Sequence, residues 1–332
     1  MVQHFLMDLD LGEKKYWEVL KLAQSVKKNP AKYSKALAGK NVAMLFAKNS
    51  TRTRVSFEVG INQLGANAIF LSSSETQLGR GEPIKDTARV LERYVDGIVA
   101  RLFAQQDLAD LAEYCHIPVI NALTDFYHPC QALGDLLTIL EQKKSFRKVK
   151  LCFLGNGSDN VAHSLILSSA LTGLNLSVAC PKNAMPDDRV LAWANALGFV
   201  TVDGTPWKNP LVGRESIQIT RKPKDRPNID ITADPIRGVK NADYLYTDVW
   251  VSMGEDEGKL NDRLNALKPF QLNGELYRQA KPGAKVMHCL PAHRGEEITD
   301  EVMEWNETSS AIWRQAENRL HAQKALLITL LK

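Results

Sequence analysis

Long apolar runs are missing from this 332-residue chain. None approaches the roughly 20 residues that a membrane-spanning helix needs, which sets a membrane protein aside. The first ten residues carry His4, Asp8 and Asp10 and no basic segment followed by an apolar one, so a secretory leader is not expected. Cysteine is scarce. Cys115, Cys130, Cys152, Cys180 and Cys289 are scattered and odd in number, with no CxxC pair and no finger-like Cys/His spacing. Neither a disulfide framework nor a structural zinc site fits that pattern, and a reduced, cytoplasmic protein is expected. A surplus of one charge is lacking too. The formal net charge is only +4, with acidic and basic residues interleaved and no basic arm with aromatics, so nucleic acid is not an expected partner. No internal repeat or low-complexity tract is present.

What is there suits a soluble enzyme: 44% hydrophobic residues, 24% charged residues, and enough chain for two domains. Short apolar strands alternate with amphipathic helices. Strands are expected at Val42–Phe46, Ala68–Leu71, Gly97–Ala100 and Pro118–Asn121, then at Val149–Leu154, Leu176–Ala179, Tyr244–Thr247 and Lys285–Cys289. Helices are expected at Glu13–Lys27, Lys85–Tyr94, Leu108–Cys115, Cys130–Gln142, Asn160–Thr172, Pro186–Leu197 and Asn273–Ala280, with a strong last helix at Ala316–Leu331. That alternation predicts an α/β chain of two domains, each a parallel sheet with helices on both faces, and an active site in the cleft between them. The polar run from Glu141 to Lys148 marks the junction. The segment Trp207–Asp230, rich in proline and charge, is expected to be a surface insertion, with Gln218–Thr220 as a short strand.

The segment Ser50-Thr51-Arg52-Thr53-Arg54 follows the first strand and opens a helix. Hydroxyls, two guanidinium groups and the free N–H groups of a helix start are expected to converge there, which is how a phosphate is held. An ordinary Ser N-cap with two solvated arginines is the plainer alternative. Other polar groups stand where further strands end. Arg101 follows the third strand, and His128-Pro129-Cys130-Gln131 leads into a helix, with His suited to donate to a carbonyl oxygen and Gln to bridge an amide. The loop Gly155-Asn156-Gly157-Ser158-Asp159-Asn160 lacks the third glycine of a dinucleotide loop, and no acidic residue ends the next strand. Presentation of Asn160 to a small ligand suits it better than NAD. Asp248-Val249-Trp250-Val251-Ser252-Met253-Gly254 suits a zwitterionic amino acid, with Asp248 on an ammonium and backbone N–H groups on a carboxylate; a plain turn capped by Ser252 is the alternative. Cys289 in His288-Cys289-Leu290-Pro291 is either a nucleophile or a pocket-lining thiol. Ligands of parallel α/β sheets bind outside the carboxyl ends of the strands, so the joint placement points to one site.

Together STRTR (50–54), KDTAR (85–89), VAR (99–101), HPCQ (128–131), DVWVSMG (248–254), HCLPAHRGEE (288–297) and AENRLHAQKALL (316–327) resemble the aspartate/ornithine carbamoyltransferase family, in the same order over nearly the whole chain. The SMG segment with HCLP resembles the branch that accepts ornithine. The resemblance implies transfer of the carbamoyl group of carbamoyl phosphate to the side-chain amine of L-ornithine, giving L-citrulline and phosphate in arginine metabolism. Another acceptor, putrescine or an acylated ornithine, is the competing reading, and SMG argues against it because that segment suits a free amino-acid head group. A non-catalytic anion-binding protein on the same scaffold is disfavoured by the near-complete polar set.

Residue by residue, the resemblance implies that Ser50, Thr51, Arg52 and Thr53 hold the phosphate, and that Arg101 and His128 polarise the carbamoyl oxygen. Gln131, Cys289 and Leu290 would meet the carbamoyl amide, Arg319 would close that pocket, and Gln77 would reach a neighbouring subunit. Asn160, Asp248, Ser252 and Met253 would grip ornithine, with Asp248 and Cys289 beside the attacking amine. It further implies a carbamoyl-phosphate-binding domain of 1–142 plus 316–332 and an ornithine-binding domain of 147–315. It implies no metal, no organic cofactor, and a trimer or a multiple of trimers. The loop at 155–160 departs from the family pattern, being about one residue longer, with Asn156 in place of an aspartate.

Overall fold

Strands that are apolar on both faces pair in parallel here, and the order in which they pair decides where polar residues gather. The computed structural model describes residues 2–73, 76, 77, 81–208, 226–250, 260–305 and 310–332. The chain divides into two units, Met1–Glu141 with Ala316–Lys332, and Gln142–Gln315.

The first unit opens with α1 (Gly12–Lys28), followed by β1 (Asn41–Phe46), α2 (Thr51–Gln63), β2 (Asn67–Ser72), α3 (Ile84–Leu91), β3 (Gly97–Arg101), α4 (Gln105–Glu113), β4 (Val119–Leu123) and α5 (Pro129–Lys143). Its four-stranded sheet is parallel throughout, in the order β2-β1-β3-β4. Val42, Ala43, Met44, Leu45 and Phe46 of β1 are all buried, as expected of a parallel strand covered on both faces.

The second unit contains β5 (Lys150–Leu154), α6 (Asn160–Thr172), β6 (Asn175–Ala179), α7 (Asp188–Leu197), β7 (Phe199–Val202), β8 (Thr205–Pro206), β9 (Asn228–Thr232), α8 (Pro235–Val239), β10 (Tyr244–Thr247), α9 (Leu260–Leu267), α10 (Gly274–Arg278), β11 (Lys285–His288) and α11 (Asp300–Met303). Its sheet runs β11-β10-β5-β6-β9-β7-β8, parallel except where β7 turns back on β8. The final helix, α12 (Ile312–Leu331), carries the chain back into the first unit. Local chemistry sets several helix starts: the side chains of Asp159, Asp187, Asp234 and Asn273 each accept a backbone N–H at the opening of α6, α7, α8 and α10. Gly173 ends α6 in the left-handed region, φ +88°.

Three sequence expectations need correction. The insertion of 207–230 ends too late: Asn228, Ile229 and Asp230 belong to β9, which lies between β6 and β7. Flanking charges and prolines hid the alternation of Ile229 and Ile231, both fully buried. Strand β7, only 4 residues long, also went unread, and with β8 the second sheet is mostly rather than wholly parallel. The last helix starts at Ile312, where the Ser310 hydroxyl accepts the Ile312 N–H, and not at Ala316. Residues 209–225, including the expected strand at Gln218–Thr220, lie outside the described residues. Among the described residues no helix is long and apolar enough to cross a membrane.

Ile231 lies on an interior strand of the second sheet and is fully buried, and its truncation should show it. Ile231→Ala is expected to cost about 2–5 kcal/mol, and the same change at the exposed Ile236 no more than about 0.5 kcal/mol. Urea unfolding midpoints measure both. An unchanged midpoint for Ile231→Ala contradicts the interior position of β9.

Candidate active site

Each sheet reverses its winding direction once. In the first, the chain moves from β1 to β2 on one side and then to β3 on the other, so the switch lies between β1 and β3. In the second, it moves from β5 outward through β6 and later returns to place β10 on the opposite side of β5. Loops leaving the carboxyl ends at such a point diverge and leave a crevice.

At the switch of the first unit, Phe46 of β1 is in register with Arg101, the last residue of β3. The chain leaves β1 and enters α2 with Ser50 as N-cap, its hydroxyl accepting the Thr53 N–H at 3.2 Å. Thr53 is buried, and its hydroxyl accepts from Arg101 Nη1 at 3.3 Å. Arg52 is exposed in the first turn of α2. Arg54 does not join it. Its guanidinium lies 3.6 Å from the centre of the Phe70 ring and 3.5 Å from Glu58. Two residues along a helix are about 200° apart, so Arg52 and Arg54 point away from each other. The expected convergence of two guanidinium groups is therefore corrected to one, and Ser50 is the N-cap of the plainer alternative.

His128 stands just before α5 and is buried. Burial, and then the charges of Arg319 and Arg101, hold its pKa well below the usual histidine range, so the ring is neutral at neutral pH. Both ends of the Gln131 side chain are engaged: its Nε2 donates to Asp135 at 2.7 Å and its Oε1 accepts from Arg319 Nη1, which leaves one N–H and one lone pair uncommitted by these two bonds. Gly134 permits this approach of α12, because a Cβ there would stand 3.0 Å from Arg319 Cδ. Cys130, whose thiol donates to the Asn121 carbonyl, is pushed up to about 12 by burial and is a structural thiol.

At the switch of the second unit, three strands end in one register. Leu154 of β5, Thr247 of β10 and His288 of β11 are side by side, so Gly155, Asp248 and Cys289 emerge together. The Cys289 thiol donates to Asp248 Oδ1 at 2.7 Å, and the Val249 N–H donates to the same oxygen, also at 2.7 Å. Gly155 has φ +128°, and a Cβ there would press within 3.4 Å of the Trp250 ring. Asp248 is buried, and burial, followed by the neighbouring charge of Asp159, raises its pKa well above the carboxylate range against the pull of the Cys289 and Val249 hydrogen bonds. Metal-ligating atoms of Asp248, His288 and Cys289 lie within 4.8 Å of one another. His288 has no lone pair to offer an ion, however, because Nδ1 accepts the Leu290 N–H and Nε2 faces Glu297 Oε1, each at 2.9 Å.

With this geometry in view, the relatives are informative. Residues 3–141 match the family described as aspartate/ornithine carbamoyltransferase, carbamoyl-P binding domain, and residues 147–330 match its Asp/Orn binding domain. The chain belongs to the aspartate/ornithine carbamoyltransferase family. An ornithine carbamoyltransferase of Listeria monocytogenes is 45% identical over 98% of this chain and 94% of its own length. An ornithine carbamoyltransferase of Pyrococcus furiosus described as anabolic is 44% identical over 96% and 93%. A solved ornithine carbamoyltransferase from the same organism superposes with a TM-score of 0.86 at 42% identity, over 99% of this chain and 97% of the other.

On this carbamoyltransferase scaffold, Ser50, Thr53 and Arg101 meet at one strand edge, with Thr51 and Arg52 exposed in the same turn of α2; Arg319 and Gln131 meet beside the start of α5. Asp248, Cys289 and Leu290 cluster at the other switch, and Asn160 is the first residue of α6. Gln77 is exposed and is not drawn to any of these groups by a described side-chain contact. Ser252 and Met253 lie outside the described residues. Sequence reasoning missed the charge of Asp159 beside Asp248 and the engagement of Gln131 by Asp135. Asp159 carried only the signature of a helix cap, which it is, since its carboxylate accepts the Val161 N–H at 2.7 Å.

A carboxyl whose pKa is raised by folding stabilises the protein below its ordinary value and loses that contribution as pH rises through the folded value. Asp248→Asn removes the buried charge while keeping an acceptor for Cys289. The ligand-free variant is therefore expected to melt above the wild type at neutral pH, the gap closing as pH falls below the ordinary carboxylate range. Thermal melts across pH test this, and a variant that melts lower at every pH contradicts it.

Proposed function

We propose that this chain transfers the carbamoyl group of carbamoyl phosphate to the side-chain amine of L-ornithine, giving L-citrulline and phosphate. The observation that carries the reading is the common register of β5, β10 and β11. It sets a buried carboxylate and a thiol side by side at the switch of one sheet, while the other sheet ends in a hydroxyl- and arginine-lined edge. The relatives supply the acceptor, ornithine.

In this reading Ser50, Thr51, Arg52 and Thr53 hold the phosphate with side chains and the N–H groups of α2. Arg101 and neutral His128 donate to the carbamoyl oxygen, which gains charge as the amine attacks; contacts of this kind are worth about 3–4 kcal/mol each. Arg319 fixes Gln131, which with Cys289 and Leu290 orients the carbamoyl amide. Asn160, Asp248, Ser252 and Met253 grip ornithine, and Asp248 with Cys289 stands beside the attacking amine, which enters as the neutral form after giving its proton to solvent. Gln77 serves a neighbouring subunit in a trimer or a multiple of trimers. We further propose a cytoplasmic enzyme of arginine biosynthesis, with carbamoyl phosphate bound by 1–142 plus 316–332 and ornithine by 147–315. No metal or organic cofactor is called on.

Purified protein offered ornithine, putrescine and N-acetylornithine side by side should turn over ornithine to citrulline. Preference for either of the other amines overturns the acceptor, and no carbamoyl transfer to any of them overturns the activity. Arg52→Ala should lower kcat/KM for carbamoyl phosphate about 10- to 10²-fold, the loss of a hydrogen bond to a charged group worth about 1.5–3 kcal/mol, with an unchanged melting temperature; unaltered kinetics remove Arg52 from the site. Because a free alkylamine titrates near about 10.4, kcat/KM for ornithine should climb from pH 7 into the mildly alkaline range. A flat profile counts against attack by the neutral amine.

A further inference from the structure

His288 and Glu297 form a buried pair whose hydrogen bonds determine one another. The His288 backbone N–H donates to Gln315 Oε1 at 2.9 Å, and its ring is committed at both nitrogens. A backbone N–H only donates, so Nδ1, which receives the Leu290 N–H at 2.9 Å, must present its lone pair. The proton of the neutral ring therefore sits on Nε2 and donates to Glu297 Oε1 at 2.9 Å. That same oxygen accepts the His293 N–H at 2.6 Å, and the Glu297 carbonyl accepts the Leu272 N–H at 2.8 Å. Both side chains have no exposed surface.

The segment this pair encloses is bent where it matters. Leu290 has φ +62°, a conformation that a branched side chain rarely takes. What holds it is the hydrogen bond from its own N–H to the ring two residues earlier. Cys289 stands between the two, its thiol on Asp248. Stability alone is a poor reason for the arrangement. Among the described residues Glu297 Oε2 is buried without a hydrogen-bond partner, and a buried polar pair of this kind is commonly no more stabilising than an apolar pair of the same size.

We propose that Glu297 is a positioning residue for carbamoyl transfer. Through His288 it fixes the tautomer that pins the Leu290 N–H, and so sets the turn that presents Cys289 and Leu290 to the substrates. This rests on the function proposed above. Neither Glu297 nor His288 has exposed side-chain surface to offer a substrate.

The test is steady-state kinetics of the full-length enzyme carrying Glu297→Ala or Glu297→Gln, with inorganic phosphate affinity and melting temperature measured alongside. Glu297→Ala is expected to lose about 10²-fold in kcat, the scale of a displacement of about 1 Å at a reacting centre, with phosphate affinity unchanged. Glu297→Gln should recover most of that loss, because an amide oxygen accepts the same two N–H groups. A merely structural role lowers the melting temperature and leaves kcat of the folded enzyme at the wild-type value, and that result overturns the proposal. Should Glu297→Ala not fold, nitrogen NMR of the wild-type histidine ring decides alongside Glu297→Gln. Protonation at Nε2 supports the proposal; protonation at Nδ1, or a Glu297→Gln variant as impaired as expected for Glu297→Ala, overturns it. A wild-type enzyme that makes no citrulline defeats the functional reading instead, which separates the two failures.

Discussion

Parallel pairing obliges every strand of a sheet to end on the same edge, and the point where winding reverses leaves a gap at that edge. The chemistry of this chain depends on that constraint twice. In the first unit it places Thr53 and Arg101, 48 residues apart in sequence, within hydrogen-bond reach. In the second it delivers Gly155, Asp248 and Cys289 from strands ending in a single register. A slip of one residue along β10 would turn Asp248 to the other face of the sheet, since side chains alternate.

Burial then sets the protonation states. His128 and Asp248 are both withdrawn from water, and in each the neutral form is favoured. For His128 the neighbouring arginines push in the same direction, leaving a donor without competing charge beside cationic Arg101. For Asp248 the adjacent Asp159 adds to the push, while Cys289 and Val249 oppose it. Because Asp159 and Glu297 both push the Asp248 pKa upward, protonation of Asp248 relieves their repulsion. The same tension is a local loss of stability at pH values above the ordinary carboxylate range.

Much of the fold was legible because its signals are local. Val42–Phe46 and Tyr244–Thr247 are short apolar runs followed by polar turns, and both form strands close to where periodicity puts them. Strand β9 was not legible, because Ile229 and Ile231 are framed by a dense set of charges and prolines that signal a loop. The site divides in the same way. STRTR announced a capped helix start, which Ser50 provides, yet its second arginine packs on Phe70, a contact set by the neighbouring strand and not by the motif.

The sequence by itself determined the family, the alternation of strands and helices, and which polar segments follow the strand ends, since each of these is written in contiguous residues. Only the tertiary structure decided that Gln131 is clasped by Arg319, that Asp159 bears on Asp248, and that Glu297 locks the imidazole of His288. Those partners lie far apart in the chain or on separate turns. Their interaction exists because strand pairing and the return of α12 bring them within a few ångströms in a medium where an unsatisfied charge is costly.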